Sequence, residues 1–426
     1  MLKQKTRNTG IALLLIVLLC AGMLSACGND AAPADDAVTA SANADGSDRI
    51  VLRLAVQEDA TGGTQSAVDA FNASQDKYEI VWEKLSNDAS EQSTQLLTSL
   101  QSSGEYDVLS LDVCWVGEMI AAGYLEPLDM MMAEGGIRKA DYNAGAMAAA
   151  CSDGKQYGIP FFSDLALLFF RSDIVSPEDA EKLISGSCTW DELLAMAETY
   201  KGQGGTKDGI VFLSKQDEGL TCLATEFTST FTDNAAGLAT LKALTDSDAT
   251  PTDILNYKDN DVEESFIGGN SVFARNWTYQ YASLSGDNSD ISPDQVAVAP
   301  LPSGDCVGGY VFGINRKSEH KEAAFELLQF LTGPDAQRIF AVESGYPPGN
   351  NAMLEDEAVL ASNALLSLPG YRAAVEASVS RPVVAGYNKM SDALQIEVHK
   401  YLTGAQALDL TCENIQALLD EFTGEA

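Results

Sequence analysis

Three apolar, β-branched runs with helix-like segments between them constrain the fold of this chain more than any other feature. The runs cover residues 49–56, 78–85 and 106–113, and the intervening segments place alanine, leucine and phenylalanine at helical spacing. Alternation of strands with amphipathic helices is typical of a parallel sheet that is covered by helices on both faces. We therefore predict an α/β fold.

Acidic residues follow two of these predicted strands. Glu58 comes after the first run, and Asp112 stands at the end of the third. Ligands of open α/β sheets approach the carboxyl ends of the strands. We therefore expect a ligand to bind near Glu58 and Asp112.

The length of the chain indicates two lobes. Even without its first 48 residues, the 426-residue chain is longer than one hydrophobic core usually serves. Further helix-like and strand-like patterns continue the α/β alternation toward the C-terminus. The helices are predicted at 189–201, 318–331 and 333–345, and the strands at 209–214 and 295–302.

The N-terminal residues predict export and lipid anchoring. Three basic residues precede a short apolar run that ends in the sequence LSAC at residues 24–27, as in a secretory signal. This ending resembles the bacterial lipobox, in which the chain is cut before a cysteine, here Cys27, that is then lipidated. A plain signal peptide remains the alternative. The polar residues up to 48 read as a flexible stalk. We therefore predict a lipoprotein signal peptide at 1–26, and a lipidated cysteine with its stalk at 27–48.

The charge and the cysteine spacing argue against nucleic acid and against the usual zinc sites. A net charge of −36 argues against nucleic acid, because phosphate binding requires clusters of lysine and arginine. Six cysteines remain after Cys20 and Cys27, and no C-x-x-C pair occurs among them, which disfavours the usual zinc sites. Whether the six are free thiols or disulfides stays open at this point.

Motifs for phosphate binding, dinucleotide binding and serine nucleophiles are missing from the sequence. The acids at positions 259, 261 and 263 alternate as in a calcium loop, but Glu264 stands where that loop needs glycine. We therefore predict no metal, no cofactor and no enzymatic activity. A glycan hydrolase that uses Asp112 and Asp164 as its carboxylate pair is the alternative.

Several segments, in order along the chain, resemble one known family. They include residues 106–129, 154–174, 270–277 and 307–315, and the segment that begins RPVVAGYNKM at Arg381. Together they resemble the extracellular solute-binding proteins of ABC importers, specifically the carbohydrate-binding group with maltose- and trehalose-type receptors.

The resemblance implies a two-lobe fold of the periplasmic-binding-protein type with hinge crossings. It places residues 49–163 and 306–345 in the first lobe, and residues 164–305 and 346–426 in the second. The lobes are expected to close on a di- or oligosaccharide, with a trehalose- or maltose-like glucoside favoured, for delivery to the permease subunits of the transporter. We expect a monomer at the outer face of the bacterial cytoplasmic membrane, and a non-sugar solute is a further alternative.

The resemblance also implies a ligand site. Aromatic rings cover the faces of a sugar, whereas carboxylates and arginine bind its hydroxyls. The matching positions are Asp112, Phe162, Asp164, Trp277, Gly309, Tyr310 and Arg381; Trp115 and Tyr279 are neighbouring candidates, and Glu58 is a further carboxylate of the first lobe.

Four of these residues have a structural alternative. Trp277 and Tyr310 are also compatible with core positions, Asp112 with a helix cap, and Arg381 with an ion pair to a surface acid. We interpret the loop-like residues before Phe273 as an argument against a plain core strand at 273–281, and we interpret Arg275 as a structural partner rather than a ligand residue.

Overall fold

The computed structural model of the chain describes residues 49–87, 89–102 and 104–424. The predicted signal peptide at 1–26, the lipidation of Cys27 and the stalk up to residue 48 lie outside the described residues. Within the described part, no helix is both long enough and apolar enough to cross a bilayer.

The strands form two main sheets and two small ones. In chain order they are β1 Ile50–Gln57, β2 Tyr78–Leu85, β3 Val108–Asp112, β4 Cys151–Ser152, β5 Lys155–Gln156, β6 Gly158–Phe162, β7 Ala166–Arg171, β8 Asp208–Phe212, β9 Ser271–Trp277, β10 Val296–Ala299, β11 Asp305–Cys306, β12 Tyr310–Ile314 and β13 Ser378–Val379.

The longer helices pack around these sheets. They are α1 Gly63–Ser74, α2 Ala89–Gln101, α3 Val116–Ala121, α4 Asp129–Gly135, α5 Ala144–Ala149, α6 Pro177–Ile184, α7 Trp190–Tyr200, α8 Glu218–Phe227, α9 Asn234–Thr245, α10 Asp259–Ile267, α11 Gln280–Ser283, α12 Lys321–Leu331, α13 Pro334–Ile339, α14 Glu357–Ser362, α15 Pro369–Glu376, α16 Tyr387–Leu402 and α17 Leu408–Thr423.

The first sheet has the strand order β2-β1-β3-β12-β6. The first three strands pair in parallel, as predicted, whereas β12 runs antiparallel to both β3 and β6. The sheet is therefore mixed rather than purely parallel. Consecutive residues of a strand point to opposite faces, so Leu54 packs in the core beside α1 and α12 while Ala55 packs in the core beside α2 and α3. The predicted cover of helices on both faces is confirmed.

The second sheet has the strand order β10-β7-β9-β8 and is mostly antiparallel. Its central strand β9 contains residues 273–277, so the interpretation of this segment as something other than a core strand is wrong. Phe273 and Ala274 are completely buried, and only the end of the strand, at Trp277, emerges from the core. The flanking glycines Gly268 and Gly269 end the preceding helix instead of forming a cleft loop.

Most of the helices predicted from the sequence are present with shifted ends. The helix predicted at 189–201 is α7, and its N-cap Thr189 forms the expected capping box with Glu192. The helix predicted at 318–331 begins only at Lys321. The one predicted at 333–345 is α-helical to Ile339, continues as a π-helical turn over Phe340–Ser344, and ends at Gly345 with a positive φ of 73°.

Chain crossings connect the two main sheets. One crossing joins β6 to β7 through residues 163–165, and another joins β10 to β12 through residues 300–309. The predicted lobe boundaries after 163 and 305 fall within these crossings. Residues 346–350 still pair with the first-sheet region, through bridges of Pro348 to Phe162 and of Asn350 to Tyr142. The lobe boundaries as such stay a prediction.

Candidate functional site

The crossing segment Val307–Tyr310 lies at the centre of the candidate site. The Gly308 amide donates to the carbonyl of Asp164 at 2.9 Å, and the Gly309 carbonyl accepts from the Val113 amide at 3.2 Å. Gly309 has a φ of 91°, and a Cβ on it would lie 2.4 Å from the carbonyl oxygen of Phe162. Because a side chain fits neither this conformation nor this space, glycine is required here. The segment thereby brings together the ends of β3, β6 and β7.

Asp112 ends β3 directly opposite Tyr310 of β12. Its Oδ1 accepts from the Cys114 amide at 2.9 Å, which closes a turn before α3 but does not cap that helix, whose N-cap is Trp115. The alternative that Asp112 caps this helix is therefore wrong, although its side chain does bind a backbone amide just before the helix. Burial raises the pKa of the Asp112 carboxyl, and the nearby charge of Arg381 opposes that rise.

Four aromatic rings form a row along this edge of the first sheet. Phe162 stacks on Tyr346 with ring centroids 4.5 Å apart, and it contacts Tyr310 at 5.3 Å. Tyr310 in turn meets Trp115 edge to face at 6.1 Å. The Tyr310 hydroxyl donates to Gln92 Oε1 at 3.1 Å. Because the Phe162, Tyr310 and Tyr346 rings are only half-buried, the row combines a core role with an accessible edge.

Asp164 and Trp277 meet on the other side of the crossing segment. The Thr278 hydroxyl and the Thr278 amide donate to Asp164 Oδ1, the amide at 3.3 Å. Burial raises the pKa of Asp164, and the hydrogen bonds from Thr278 oppose that rise. The half-buried Trp277 donates through Nε1 to Asp259 Oδ1 at 3.0 Å. A Cβ on Gly308 would lie 3.4 Å from the Trp277 ring and 3.6 Å from Asp164 Cβ, so all three lie side by side.

Arg275 has the structural role that was expected of it. Its guanidinium pairs with Glu226, and both side chains are almost completely buried. The Arg275 Cζ lies 4.8 Å from the centroid of the Trp277 ring. Arg275 therefore supports Trp277 from within the second sheet.

Two predicted residues lie at the periphery. Tyr279 is 40% exposed, and its hydroxyl donates to Asn276 Oδ1 at 3.3 Å. Burial and the neighbouring Asp259 carboxylate raise the pKa of Tyr279. Glu58 has an exposed side chain beyond the end of β1. The described contacts do not bring Glu58 or Tyr279 against the central segment.

Arg381 is buried and already engaged. Its Nη1 lies 2.5 Å from Glu218 Oε1, and its Nη2 donates to the carbonyl of Val307 at 3.3 Å. Glu218 is half-exposed. The contact of Arg381 with Glu218 therefore matches the alternative of an ion pair to a surface acid, whereas its contact with the Val307 carbonyl does not. Tyr387 and Ser391 also donate to the Glu218 carboxylate.

Glu218, Tyr387, Tyr346 and Asp59 were missed by the sequence reasoning. Glu218 begins α8 shortly after β8 ends, so the rule that pointed to Asp112 at a strand end was available for Glu218 as well. Asp59 is the immediate neighbour of the predicted Glu58, and it accepts hydrogen bonds from Thr61, Thr64 and Ser344. Tyr387 and Tyr346 carried no local signal, because their partners are distant in sequence.

A cavity of about 520 Å³ opens between the loop after β3 and helices α8 and α16. Asp112, Cys114 and Trp115 form one wall, and residues including Glu218 and Tyr387 form the other. A larger cavity of about 720 Å³ lies elsewhere, between Tyr142, Met147 and Leu354, and contains none of the predicted site residues. Among the described residues, no group of acidic, histidine or cysteine side chains is arranged to hold a metal ion.

Comparison with known proteins defines the class. Residues 66–366 match the family of bacterial extracellular solute-binding proteins, and the chain belongs to that family. The resemblance seen in the sequence is thereby confirmed, together with a location outside the cytoplasm. The family consists of binding proteins rather than enzymes.

Individual relatives agree with this class. A probable ABC transporter-binding protein of Deinococcus radiodurans is 28% identical over 353 residues, which cover 75% of this chain and 80% of the relative. The solved structure of maltose-bound MalE3 of T. maritima is 25% identical with a TM-score of 0.64, and covers 87% of this chain and 99% of its own. A cyclic α-maltosyl-1,6-maltose binding protein of Arthrobacter globiformis shares the fold, with 19% identity and a TM-score of 0.71 over 89% of this chain and 100% of its own.

Proposed function

We propose that this chain is the substrate-binding lipoprotein of an ABC importer, and that it captures a di- or oligosaccharide between its two sheets. A trehalose- or maltose-like glucoside is favoured, and the bound sugar is delivered to membrane permease subunits. The chain acts as a monomer that Cys27 tethers to the outer face of the cytoplasmic membrane.

The observation that carries this proposal is the convergence of two kinds of side chain on the segment Val307–Tyr310. Aromatic rings approach it from both sheets, with Phe162 and Tyr310 on one side and Trp277 on the other. Aromatic rings suit the apolar faces of a pyranose, and carboxylates accept from its hydroxyls. The names of two structural neighbours, which bind maltose and a maltose-derived cyclic sugar, support the same ligand class.

The proposed closure of the two lobes on the sugar is compatible with this arrangement. Asp112 comes from the first sheet, whereas Asp164 lies in the crossing just before β7 and Trp277 ends β9 in the second sheet. A ligand that contacts both sides shifts the equilibrium toward the closed form. The size of the shift equals the difference between its binding free energies for the closed and the open form. The short crossings between β6 and β7 and between β10 and β12 are the proposed hinges.

A thermal-shift panel of maltose, trehalose and longer glucosides tests the sugar assignment. A true ligand at one hundred times its Kd stabilises the folded state by about 2.7 kcal/mol. Sugar recovered unchanged after long incubation is expected for a binding protein, and its cleavage would support the hydrolase alternative instead. If no saccharide raises the Tm while another class of solute does, the sugar assignment is wrong.

Lipid anchoring is tested separately. The wild-type chain should fractionate with membranes and incorporate a labelled fatty acid, whereas Cys27→Ser should incorporate none. A wild-type chain without label, or equal labelling of Cys27→Ser, would contradict the proposed anchor.

A further inference from the structure

The side chains that line the cavity between Asp112 and Glu218 carry an excess of negative charge. Four carboxylates line it, from Asp112, Asp217, Glu218 and Asp392, and none of the described residues that line it is a lysine, an arginine or a histidine. Two aromatic residues, Trp115 and Tyr387, complete its walls. Its volume of about 520 Å³ is in the range of small-molecule sites.

Cations outside the lining neutralise only half of this charge. Glu218 pairs with Arg381 at 2.5 Å, and Asp217 lies 3.8 Å from the Nζ of Lys258. In the described part of the chain, Asp112 and Asp392 have no ion pair. Four carboxylates against two cations leave two negative charges at the cavity.

Arg381 opposes the rise in the pKa of Asp112 through its nearby charge, but its guanidinium donates to other groups. Its guanidinium is held by Glu218 and by the Val307 carbonyl, and it lies against the Tyr387 ring at 5.7 Å. Glu218 is fixed in turn by the Tyr387 and Ser391 hydroxyls. To turn toward an anionic ligand, the buried Arg381 would have to give up its contacts with the half-exposed Glu218 and with the Val307 carbonyl, and a buried charge that loses its partner is unfavourable. The arginine that the family resemblance assigned to the ligand therefore also holds Glu218 in place.

The position of Asp112 strengthens the preference for a cation. One of its oxygens accepts from the Cys114 amide, and the carboxyl lies partly out of solvent at the end of β3. A carboxylate with so little water gains most from a charged donor, because such hydrogen bonds are stronger than neutral ones. An acidic ligand would instead add like charge to a partly closed space, which is how binding sites reject a wrong solute.

We infer that this cavity selects a saccharide that carries a protonated amine and discriminates against sugar acids. The inference rests on the proposed sugar-binding function and deepens it: the aromatic residues and the hydroxyl-binding carboxylates recognise the sugar ring, while Asp112 and Asp392 recognise its ammonium group. The amine is thus the feature that distinguishes the preferred ligand from a neutral glucoside of the same shape.

Matched ligands test the inference on the full-length exported chain by calorimetry. Trehalose is compared with trehalosamine, and glucose is compared with glucosamine, N-acetylglucosamine and glucuronate. We expect the free amine to bind about tenfold more tightly than its neutral counterpart, since a hydrogen bond from a charged donor to a carboxylate is stronger than one from a neutral hydroxyl. N-acetylation should remove this gain, glucuronate should not bind, and salt should reduce the preference.

Variants assign the effect to the cavity. Asp112→Asn should reduce the ratio of the affinities for the amino sugar and the neutral sugar to about one, provided that the Tm of the variant without ligand shows it to be folded. Asp392 is exposed, so Asp392→Asn should not disturb the packing of the core. This second variant should reduce the preference for the amine partly. Asp287→Asn removes an exposed carboxylate from the loop after α11 and should leave the preference unchanged.

The outcomes separate the inference from the proposed function. If trehalose or maltose binds and its amine analogue binds equally or less tightly, the inference is overturned while the sugar-binding function stands. An amine preference that survives both cavity substitutions also overturns it. If amino acids or polyamines bind and no saccharide does, both the inference and the proposed function fail.

Discussion

Arg275 and Glu226 form an ion pair inside the second sheet, with Arg275 Nε 2.9 Å from Glu226 Oε2 and both side chains almost without solvent contact. Arg275 lies on β9 two residues before Trp277, and Glu226 lies on α8. The pair therefore joins the strand that carries the candidate stacking residue to the helix that begins at Glu218.

Removal of one partner of this pair should be costly. Glu226→Gln leaves the Arg275 charge buried without a counter-ion, so we expect the free energy of unfolding in urea to fall by about 3–5 kcal/mol. The double variant Glu226→Leu/Arg275→Met should recover most of this loss, since neither charge remains. As a matched control, Glu355→Gln breaks the exposed pair with Arg372 and should cost at most about 1 kcal/mol. Equal losses for the buried and the exposed pair would contradict this prediction.

Trp277 should dominate the affinity for sugar. Trp277→Ala is expected to weaken binding by about 2 kcal/mol, or roughly 30-fold, as do truncations of central aromatic residues in other interfaces. Trp277→Phe keeps a ring but loses the hydrogen bond to Asp259. The affinity of this variant for the sugar should therefore lie between those of the wild type and Trp277→Ala. Trp82→Ala, in the first sheet at β2, controls for the loss of a tryptophan as such. Calorimetry that finds unchanged affinity for folded Trp277→Ala would remove this residue from the site.

Gly309 should tolerate no side chain. Gly309→Ala combines the strain of a φ of 91° with a contact of 2.4 Å to the Phe162 carbonyl oxygen, so both the Tm and the ligand affinity should fall. Gly123→Ala isolates the strain, because Gly123 also has a positive φ of 73° but has no atom within 4 Å of the added Cβ. We expect Gly123→Ala to cost about 1–2 kcal/mol and to leave the affinity unchanged. A Gly309→Ala chain that matches Gly123→Ala in both measurements would show that the space around Gly309 is not restrictive.

The sequence was sufficient for the parts of the fold that depend on local pattern. The runs that became β1, β2 and β3 are β-branched and apolar, and the capping box at Thr189 and Glu192 is local in sequence. The antiparallel insertion of β12 between β3 and β6 had no such signal, because it depends on a return of the chain after about two hundred residues. The flanking glycines before Phe273 were misread for a similar reason, since tertiary burial rather than local composition makes β9 a core strand.

The candidate site shows the same division. Asp112, Asp164 and Trp277 were predicted from motifs, and the structure brings them around one crossing segment. An ion pair between Arg381 and an acid was one of the alternatives, but Glu218 could not be identified as that acid, because the two residues are far apart in sequence. Only the folded structure shows that Arg381 contacts Glu218.

Asp59 should make stability depend on pH in the acidic range. Burial acts to raise the pKa of its carboxyl, but hydrogen bonds from Thr61, Thr64 and Ser344 outweigh burial and hold the pKa well below its ordinary value. A carboxylate with a lowered folded-state pKa contributes stability above its unfolded pKa of about 3.9 and loses that contribution as the pH falls further. The Tm of the wild type should therefore exceed that of Asp59→Asn at neutral pH, and the difference should shrink below about pH 4.

A control corrects for the change in net charge. Asp76→Asn removes an exposed carboxylate from the loop between α1 and β2, and its pH profile serves as the reference for Asp59→Asn. A Tm difference between wild type and Asp59→Asn that stays constant from pH 7 to pH 3 would show that the carboxylate charge is not what stabilises this loop.

The six cysteines of the body should all be thiols. Cys114, Cys151, Cys188, Cys222, Cys306 and Cys412 are free in the structure, whereas the sequence alone left their state open. Thiol titration of denatured, unreduced residues 49–426, which form a compact unit of their own, should detect six thiols, and a count of four or fewer would indicate a disulfide.

In the native protein the buried thiols should react more slowly, because the thiolate is the nucleophile and burial raises the pKa of Cys188 to about 11. The partly exposed Cys151 and Cys412 should react first, and a Cys412→Ser variant should remove one fast-reacting thiol.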